Sequence, residues 1–299
     1  MSDSTQFTFT FRDSDAMAAA RRRELDISRQ FAADLGRSAV EIARSGRYRL
    51  SDGREVSIAR TMKAALAGRV SIPPDHVLRP RKRTRKKSLE IELCNETTLG
   101  AARALMDLGA RPLALNFANG IEPGGGFLNG ARAQEEALCR SSGLYLTIEG
   151  DPMYAAHRRN SLEESSDWAI LSPDVPVFRT DSGEFLESPW LLSFLTCAAP
   201  YAPLVRQPRS GDLLQKRIIR VLEIASAHGF RDLVLGAWGC GAFGNDTRRT
   251  ATDFRDALLG RFFGHFDRVQ FAICDWSPER RFISPFRAVF DSTSRSASA

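Results

Sequence analysis

The chain has 299 residues, 43% of them hydrophobic and 26% charged, a composition that supports a sizeable core in one large or two small domains. No stretch approaches the roughly 20 apolar residues of a membrane span. The polar start Met1-Ser-Asp-Ser-Thr5 lacks the apolar region of a secretory signal, so a cytoplasmic protein without membrane contact is expected. The formal charge of +6 comes from one run, Arg79-Pro-Arg-Lys-Arg-Thr-Arg-Lys-Lys87, without which the chain carries −1. With its proline and no apolar periodicity, that run reads either as a solvated linker or as a device that captures an anionic polymer.

In chain order, residues 1–14 are polar with a Thr-Phe-Thr-Phe alternation and residues 290–299 end in small polar side chains, so both ends are expected to be disordered. Between Ala16 and Ser45 the apolar positions Leu25, Ile27, Phe31, Leu35, Val40 and Ile42 recur near helical spacing, with Gly36 weakening the middle. That pattern predicts two helical pieces or one kinked helix. Asp52-Gly53 between two alternating runs over 48–58 predicts a hairpin, and a short helix through Thr61–Leu66 follows. Beyond the basic run, strands are predicted near 89–94, 112–117, 169–171, 175–178, 192–197, 231–237 and 268–274. They alternate with helices near 98–108, 134–142, 211–228 and 247–263. The alternation predicts a mostly parallel, three-layer α/β sheet with its ligand outside the carboxyl ends of the strands. Residues 198–211, rich in proline, read as a long surface connection near that ligand. The five cysteines, Cys94, Cys139, Cys197, Cys240 and Cys274, are odd in number and widely spaced, as reduced packing residues are. Four histidines and no Cys-x-x-Cys pair speak against a structural zinc site.

Two loops resist a purely structural account. The first follows the apolar run Pro112–Phe117 and contains Gly124, Gly125 and Gly126, then seven residues later Gln134-Glu135-Glu136 at the start of a helical segment that Gly143 ends. Consecutive glycines cost backbone entropy and pack nothing, so they imply positive φ or a close backbone approach. The second is Leu233-Val-Leu-Gly-Ala-Trp-Gly-Cys-Gly-Ala-Phe-Gly-Asn-Asp246, again a strand, a glycine-rich loop and a helix. Such a loop offers bare N–H groups to phosphate oxygens and suits a diphosphate. It lacks the Gly-Lys-Ser/Thr of a Walker loop and the spacing of Gly-x-Gly-x-x-Gly. Two strand-end loops of this kind imply one ligand.

Gly-Gly-Gly, seven residues and Gln-Glu-Glu, together with Gly236-Ala-Trp-Gly-Cys-Gly-Ala-Phe-Gly-Asn-Asp246, resemble the signature and the diphosphate loop of poly(ADP-ribose) glycohydrolases, most closely the compact bacterial type. The resemblance runs from about Arg21 to about Arg287 and includes Asn116–Asn119, Asp167–Phe178 and Thr196–Pro200. Tyr201, where the family is expected to carry Asn, and the stretch Asn119-Gly-Ile-Glu-Pro-Gly depart from it. The resemblance implies a three-layer, macrodomain-like mixed sheet with flanking helices and an N-terminal helical extension. The implied division is an extension over 1–87 ending in the basic linker, a catalytic core over 88–289 and a tail over 290–299. It also implies a monomer without cofactor or metal, whose substrate is poly(ADP-ribose) or an ADP-ribosylated protein and whose product is ADP-ribose.

Adjacent helical residues point about 100° apart, so Glu135 and Glu136 cannot flank a substrate as the opposed acid pair of ordinary glycosidases does. By resemblance Glu136 is the general acid and Glu135 holds ribose hydroxyls, while Asn119, Gly124, Gly125, Gly126, Gln134, Gly239, Cys240, Gly241, Ala242, Phe243 and Gly244 bind substrate. A general acid must hold its proton near neutrality, which burial and a neighbouring like charge favour. Trp238 reads as core packing, whereas Phe243 by resemblance lies against the terminal ribose. Other readings are a hydrolase of ADP-ribose linked to protein or nucleic acid, a non-catalytic ADP-ribose reader, which has no need of an acid, and a basic nucleic-acid module, which lacks aromatic–basic interleaving.

Overall fold

The structure, a computed structural model, describes residues 6–79, 88–160 and 163–297; of the basic run only Arg79 is among them, and the rest lies outside the described residues. The elements are β1 (Gln6–Arg12), α1 (Asp15–Leu25), α2 (Arg29–Ser45), β2 (Arg47–Arg49), β3 (Glu55–Ser57), α3 (Ala59–Gly68), β4 (Val70–Ile72), β5 (Ser88–Cys94), α4 (Thr98–Asp107) and β6 (Leu113–Ala118). They continue with α5 (Gln134–Ser141), α6 (Leu144–Ile148), α7 (Pro152–Asn160), β7 (Ala169–Arg179), β8 (Phe185–Ala198), α8 (Ala202–Val205), α9 (Arg209–His228), β9 (Asp232–Leu235), α10 (Thr247–Leu259), β10 (Arg268–Ala272) and α11 (Ile283–Ala297). The chain forms two compact units, one of residues 1–21, 75–113 and 199–299 and the other of residues 22–74 and 114–198. These units cut across the expected boundary at 87/88.

In the first unit the strands run β1-β5-β10-β9, all parallel. The expected disorder of the ends is corrected here. Phe7, Phe9 and Phe11 alternate with threonines along β1, which pairs with β5 through Phe9↔Ile91 and Phe11↔Leu93. α11 covers that phenylalanine face, with Phe9 stacked on Phe290 at 5.6 Å and Phe290 also against Phe271. The two ends order each other because each removes the other's apolar surface from water: Phe290 is fully buried, worth roughly 1.5–3 kcal/mol, and Phe7, Phe9 and Phe11 are partly buried. Residues 1–5 and 298–299 lie outside the described residues.

In the second unit β4, β7 and β8 pair antiparallel. The sheet is therefore mixed, as the resemblance implies. The expected pieces 169–171 and 175–178 are one strand, β7, with an irregularity in its register on β8 between Ser172 and Val175. The 48–58 hairpin forms as β2 and β3, and Tyr48, Leu50 and Ile58 join Ala39, Ile42 and Phe178 in a local core. The helical break over 16–45 falls at Ser28, whose side chain caps α2 by accepting the Phe31 N–H, and not at Gly36. Gly36 is where α2 approaches the Phe127–Asn129 turn: an added Cβ would meet the Phe127 carbonyl oxygen at 2.8 Å. Arg29 and Arg37 donate to the carbonyls of Asn129 and Leu128, so the N-terminal helix α2 braces the glycine-rich segment directly. This contact explains why no boundary separates α2 from the region expected to be catalytic.

Candidate active site

β6 carries Asn116 into the second unit's interior, and the chain then turns through Asn119–Gly126 before α5 begins at Gln134. The Asn119 side-chain oxygen accepts the N–H groups of Ile121 and Glu122, which fixes the turn. Gln134 fastens α5 to the strand. Its Oε1 accepts the Phe117 N–H at 2.9 Å and its Nε2 donates to the Leu115 carbonyl at 2.8 Å, so the amide mimics a neighbouring strand. Both ends of the Gln134 amide thus bond the backbone of β6.

Glu135 and Glu136 follow in the first turn of α5 and are 3% and 8% exposed. The Glu135 carboxylate accepts the Asn119 N–H at 2.7 Å and the Asn116 side-chain amide at 3.2 Å, and Asn116 also donates to Thr196 Oγ1. Glu136 Oε1 accepts the Gly126 N–H at 3.0 Å, while its other oxygen has no partner among the described residues. Burial pushes the Glu135 carboxyl up to about 8, with the Asn119 N–H opposing and the nearby Glu136 reinforcing the shift. Although adjacent in sequence, both carboxylates reach the same backbone point. A Cβ on Gly125 would stand 2.4 Å from Glu136 Oε1 and 3.2 Å from Glu135 Oε2, and Gly125 has φ +57°. The acids and the glycine triplet thus require each other.

In the first unit the loop after β9 runs to α10, whose N-cap Asp246 accepts the Arg249 N–H. Gly239 and Gly244 have positive φ. The amide groups of Gly239, Gly241, Ala242 and Phe243 meet no acceptor among the described residues, whereas Gly244 and Asn245 donate to Gly241 and Gly239. The loop is held from behind by Asn245, whose amide donates to the Pro200 and Gly239 carbonyls, and by Ala202, whose N–H donates to the Phe243 carbonyl. Tyr201 meets Phe243 edge to face at 5.7 Å. The expected 198–211 surface connection therefore contains α8 and is buried at Ala198, Ala199 and Ala202. Trp238 is fully buried, as a core residue is. Cys240 is 6% exposed, and burial pushes its thiol up to about 11. None of the five cysteines is in a disulfide.

Among the described residues no cluster of three or more His, Cys, Asp or Glu side chains is arranged to hold a metal ion, and no helix is long and apolar enough to cross a membrane. Asn116, in the Asn116–Asn119 block, is legible as a polar residue within a buried apolar run. His157 of α7, which the sequence does not single out, bonds the Gly120 carbonyl at 2.8 Å and Ser166 at 2.6 Å, which pins the turn after Asn119.

A family model described as the catalytic domain of microbial-type PARG, poly(ADP-ribose) glycohydrolase, matches residues 36–180. The structure of poly(ADP-ribose) glycohydrolase from Thermomonospora curvata aligns with a TM-score of 0.80 at 40% identity, over 87% of this chain and 100% of that one. The same organism's enzyme bound to the inhibitor ADP-HPD gives a TM-score of 0.79 at 40% identity, over 87% and 99% of the two chains. The enzyme from Deinococcus radiodurans in complex with ADP-ribose gives 0.73 at 38% identity, over 79% and 99%. A comparison with curated proteins finds no match. Spanning the whole of a relative with which it shares 40% of its residues, the chain belongs to the bacterial poly(ADP-ribose) glycohydrolases and is a glycoside hydrolase.

Proposed function

We propose that the protein hydrolyses the ribose–ribose O-glycosidic bond of poly(ADP-ribose) from the chain end, with Glu136 as general acid and Glu135 as the holder of ribose hydroxyls. The observation that carries this reading is the asymmetry of the acids. Glu135 has both carboxylate oxygens occupied by Asn116 and Asn119, whereas Glu136 is fixed by one bond to Gly126 and keeps one oxygen open. That open oxygen delivers the proton to the leaving ribose oxygen as the anomeric C–O bond breaks. Water then adds to the anomeric carbon of the oxocarbenium-like species and returns its second proton to Glu136. The ionised carboxylate and the substrate diphosphate stabilise the developing positive charge. The unpartnered amides of the Gly239–Phe243 loop suit the diphosphate, and Phe243 suits the terminal ribose.

Binding tests the diphosphate assignment. ADP-ribose is expected to bind one to one at micromolar or tighter affinity in the presence of a chelator. Calorimetry that shows no heat, or heat only after magnesium is added, contradicts it.

Cleavage from the chain end is supported by the segment beside the diphosphate loop. α8 and its flanks are tied to that loop by Ala202, Asn245 and the Tyr201–Phe243 contact, so this wall is stiff. On size-fractionated polymer, monomeric ADP-ribose is expected to rise before mean chain length falls. Abundant short oligomers at low conversion would overturn terminal cleavage. Release of the unit from a singly modified protein would favour a hydrolase of the protein linkage instead.

A further inference from the structure

The turn from Asn119 to Gly126 carries a backbone donor for each acid, the Asn119 N–H for Glu135 and the Gly126 N–H for Glu136. Two consecutive peptide groups of that turn are held at both ends. A peptide unit is planar, so its carbonyl and the N–H that follows move together. In the Gly120–Ile121 unit the N–H donates to Asn119 Oδ1 at 2.9 Å and the carbonyl accepts from His157 Nδ1 at 2.8 Å. In the Ile121–Glu122 unit the N–H donates to the same Asn119 oxygen at 3.0 Å and the carbonyl accepts from Arg158 Nη1. The Glu122 carbonyl then accepts the Gly125 N–H at 3.0 Å, which carries the constraint into the glycine triplet. One jaw of this clamp is Asn119 itself, and the other is a pair of neighbours on α7.

The hydrogen on the His157 ring follows from its partners. A carbonyl oxygen only accepts, so Nδ1 carries the N–H. The neutral ring then presents Nε2 as an acceptor, and Ser166 Oγ donates to it at 2.6 Å while accepting the Trp168 N–H at 3.3 Å. Behind that serine, Trp168 Nε1 donates to Ser71 Oγ at 2.8 Å and Ser71 to Asp151, whose carboxylate also receives the Met153 N–H at the start of α7. The ring is buried and fixed from the side away from the turn. Arg158 has a half-exposed side chain with Glu122 3.9 Å away, yet it also returns to a backbone carbonyl. Gly120 fits the same segment closely, since a Cβ there would collide with Ser165 Oγ.

We infer that His157 is a positioning residue for glycosidic-bond hydrolysis: through the Gly120 carbonyl, and together with Arg158, it holds the turn whose two N–H groups place the Glu135 and Glu136 carboxylates. The turn contains Gly120, Gly124, Gly125 and Gly126, so it has few side chains of its own to anchor it. Its position is set from outside. A shift of the turn moves both donors at once, and misplacing reacting groups by about an ångström costs on the order of 10²-fold in rate. This inference rests on reading Glu135 and Glu136 as the groups that act on the glycosidic bond.

Asparagine and glutamine separate the two bonds of the ring. The Asn amide nitrogen reaches the position of His Nδ1, whereas the Gln amide reaches that of Nε2, so His157→Asn keeps the donor to Gly120 and His157→Gln keeps only the contact with Ser166. Single-turnover rates at saturating polymer, measured well below both melting temperatures, are expected to fall by less than about threefold in His157→Asn and by about 10- to 100-fold in His157→Gln. The Asn119 and Gly126 amide proton resonances should move further in His157→Gln than in His157→Asn. Both variants lose the imidazole ring current, so the difference between them reports the turn. A residue that only fills the core is replaced at least as well by the larger glutamine. Equal rates, or equal displacements of the two resonances, would therefore overturn the proposal. If either variant fails to fold, Arg158→Met decides, because it removes the neighbouring donor from a half-exposed position. Its rate is expected to fall about three- to tenfold with both resonances displaced, and a wild-type value for either overturns the clamp. Retained turnover in Glu136→Gln, run in parallel, defeats the general-acid assignment alone, since the resonances still report whether His157 holds the turn.

Discussion

Glu136→Gln is expected to lower poly(ADP-ribose) hydrolysis by about 10²–10⁴-fold, the usual contribution of a general acid, while leaving ADP-ribose affinity within about tenfold, or 1.4 kcal/mol. Glutamine is nearly isosteric, and its carbonyl oxygen can still accept the Gly126 N–H that positions Glu136. What it cannot do is donate a carboxylic proton, so only the interaction made in the transition state is lost. Glu135→Gln should behave differently. The Glu135 carboxylate faces two donors, the Asn119 N–H and the Asn116 amide, so a glutamine there sets an NH₂ group against one of them. Both binding and turnover should fall. Single-turnover rates with calorimetry on each variant separate the cases, and more than about a tenth of wild-type turnover in Glu136→Gln would mean that the acid is another group.

The reactive segment was legible in the sequence because its demands are local. Three glycines cannot be explained by packing, and two acids at a helix start ask for a reason. Their mutual dependence through Gly125 was not legible, because it depends on two carboxylates returning to a backbone ten residues earlier. The tie of Gln134 to Leu115 and Phe117 was not legible either, because a side-chain amide bridging two strand residues is a tertiary contact with no sequence period. The helices α6 and α7 escaped notice because Gly143, Gly150 and Pro152 break the apolar pattern into pieces shorter than a recognisable period. β1 had a clear two-residue alternation that was outweighed by its position at a polar terminus. Only α11, some 280 residues later, supplies the surface that makes the alternation worth ordering.

Gly125→Ala is expected to lower turnover by about 10²-fold, the penalty of misplacing reacting groups by about an ångström. The added methyl would stand 2.4 Å from Glu136 Oε1, closer than real Cβ atoms come, and a tight 3.2 Å from Glu135 Oε2. Either the carboxylates move off, which breaks the bond from the Gly126 N–H, or the loop shifts and carries that N–H with it. Both outcomes disturb the acid before substrate arrives. Alanine at φ +57° also costs about 1–2 kcal/mol of backbone strain, so a fall in stability accompanies the fall in rate. Gly53→Ala separates the two effects. Gly53 has φ +89° in the β2–β3 hairpin, and a Cβ there meets nothing within 4 Å, so it has the strain without the collision. The two variants should melt at lower temperatures than the wild type, but Gly53→Ala should keep its kcat. Comparable kcat values in Gly125→Ala and Gly53→Ala, measured well below both melting temperatures, would show that the carboxylates do not depend on the bare backbone at Gly125.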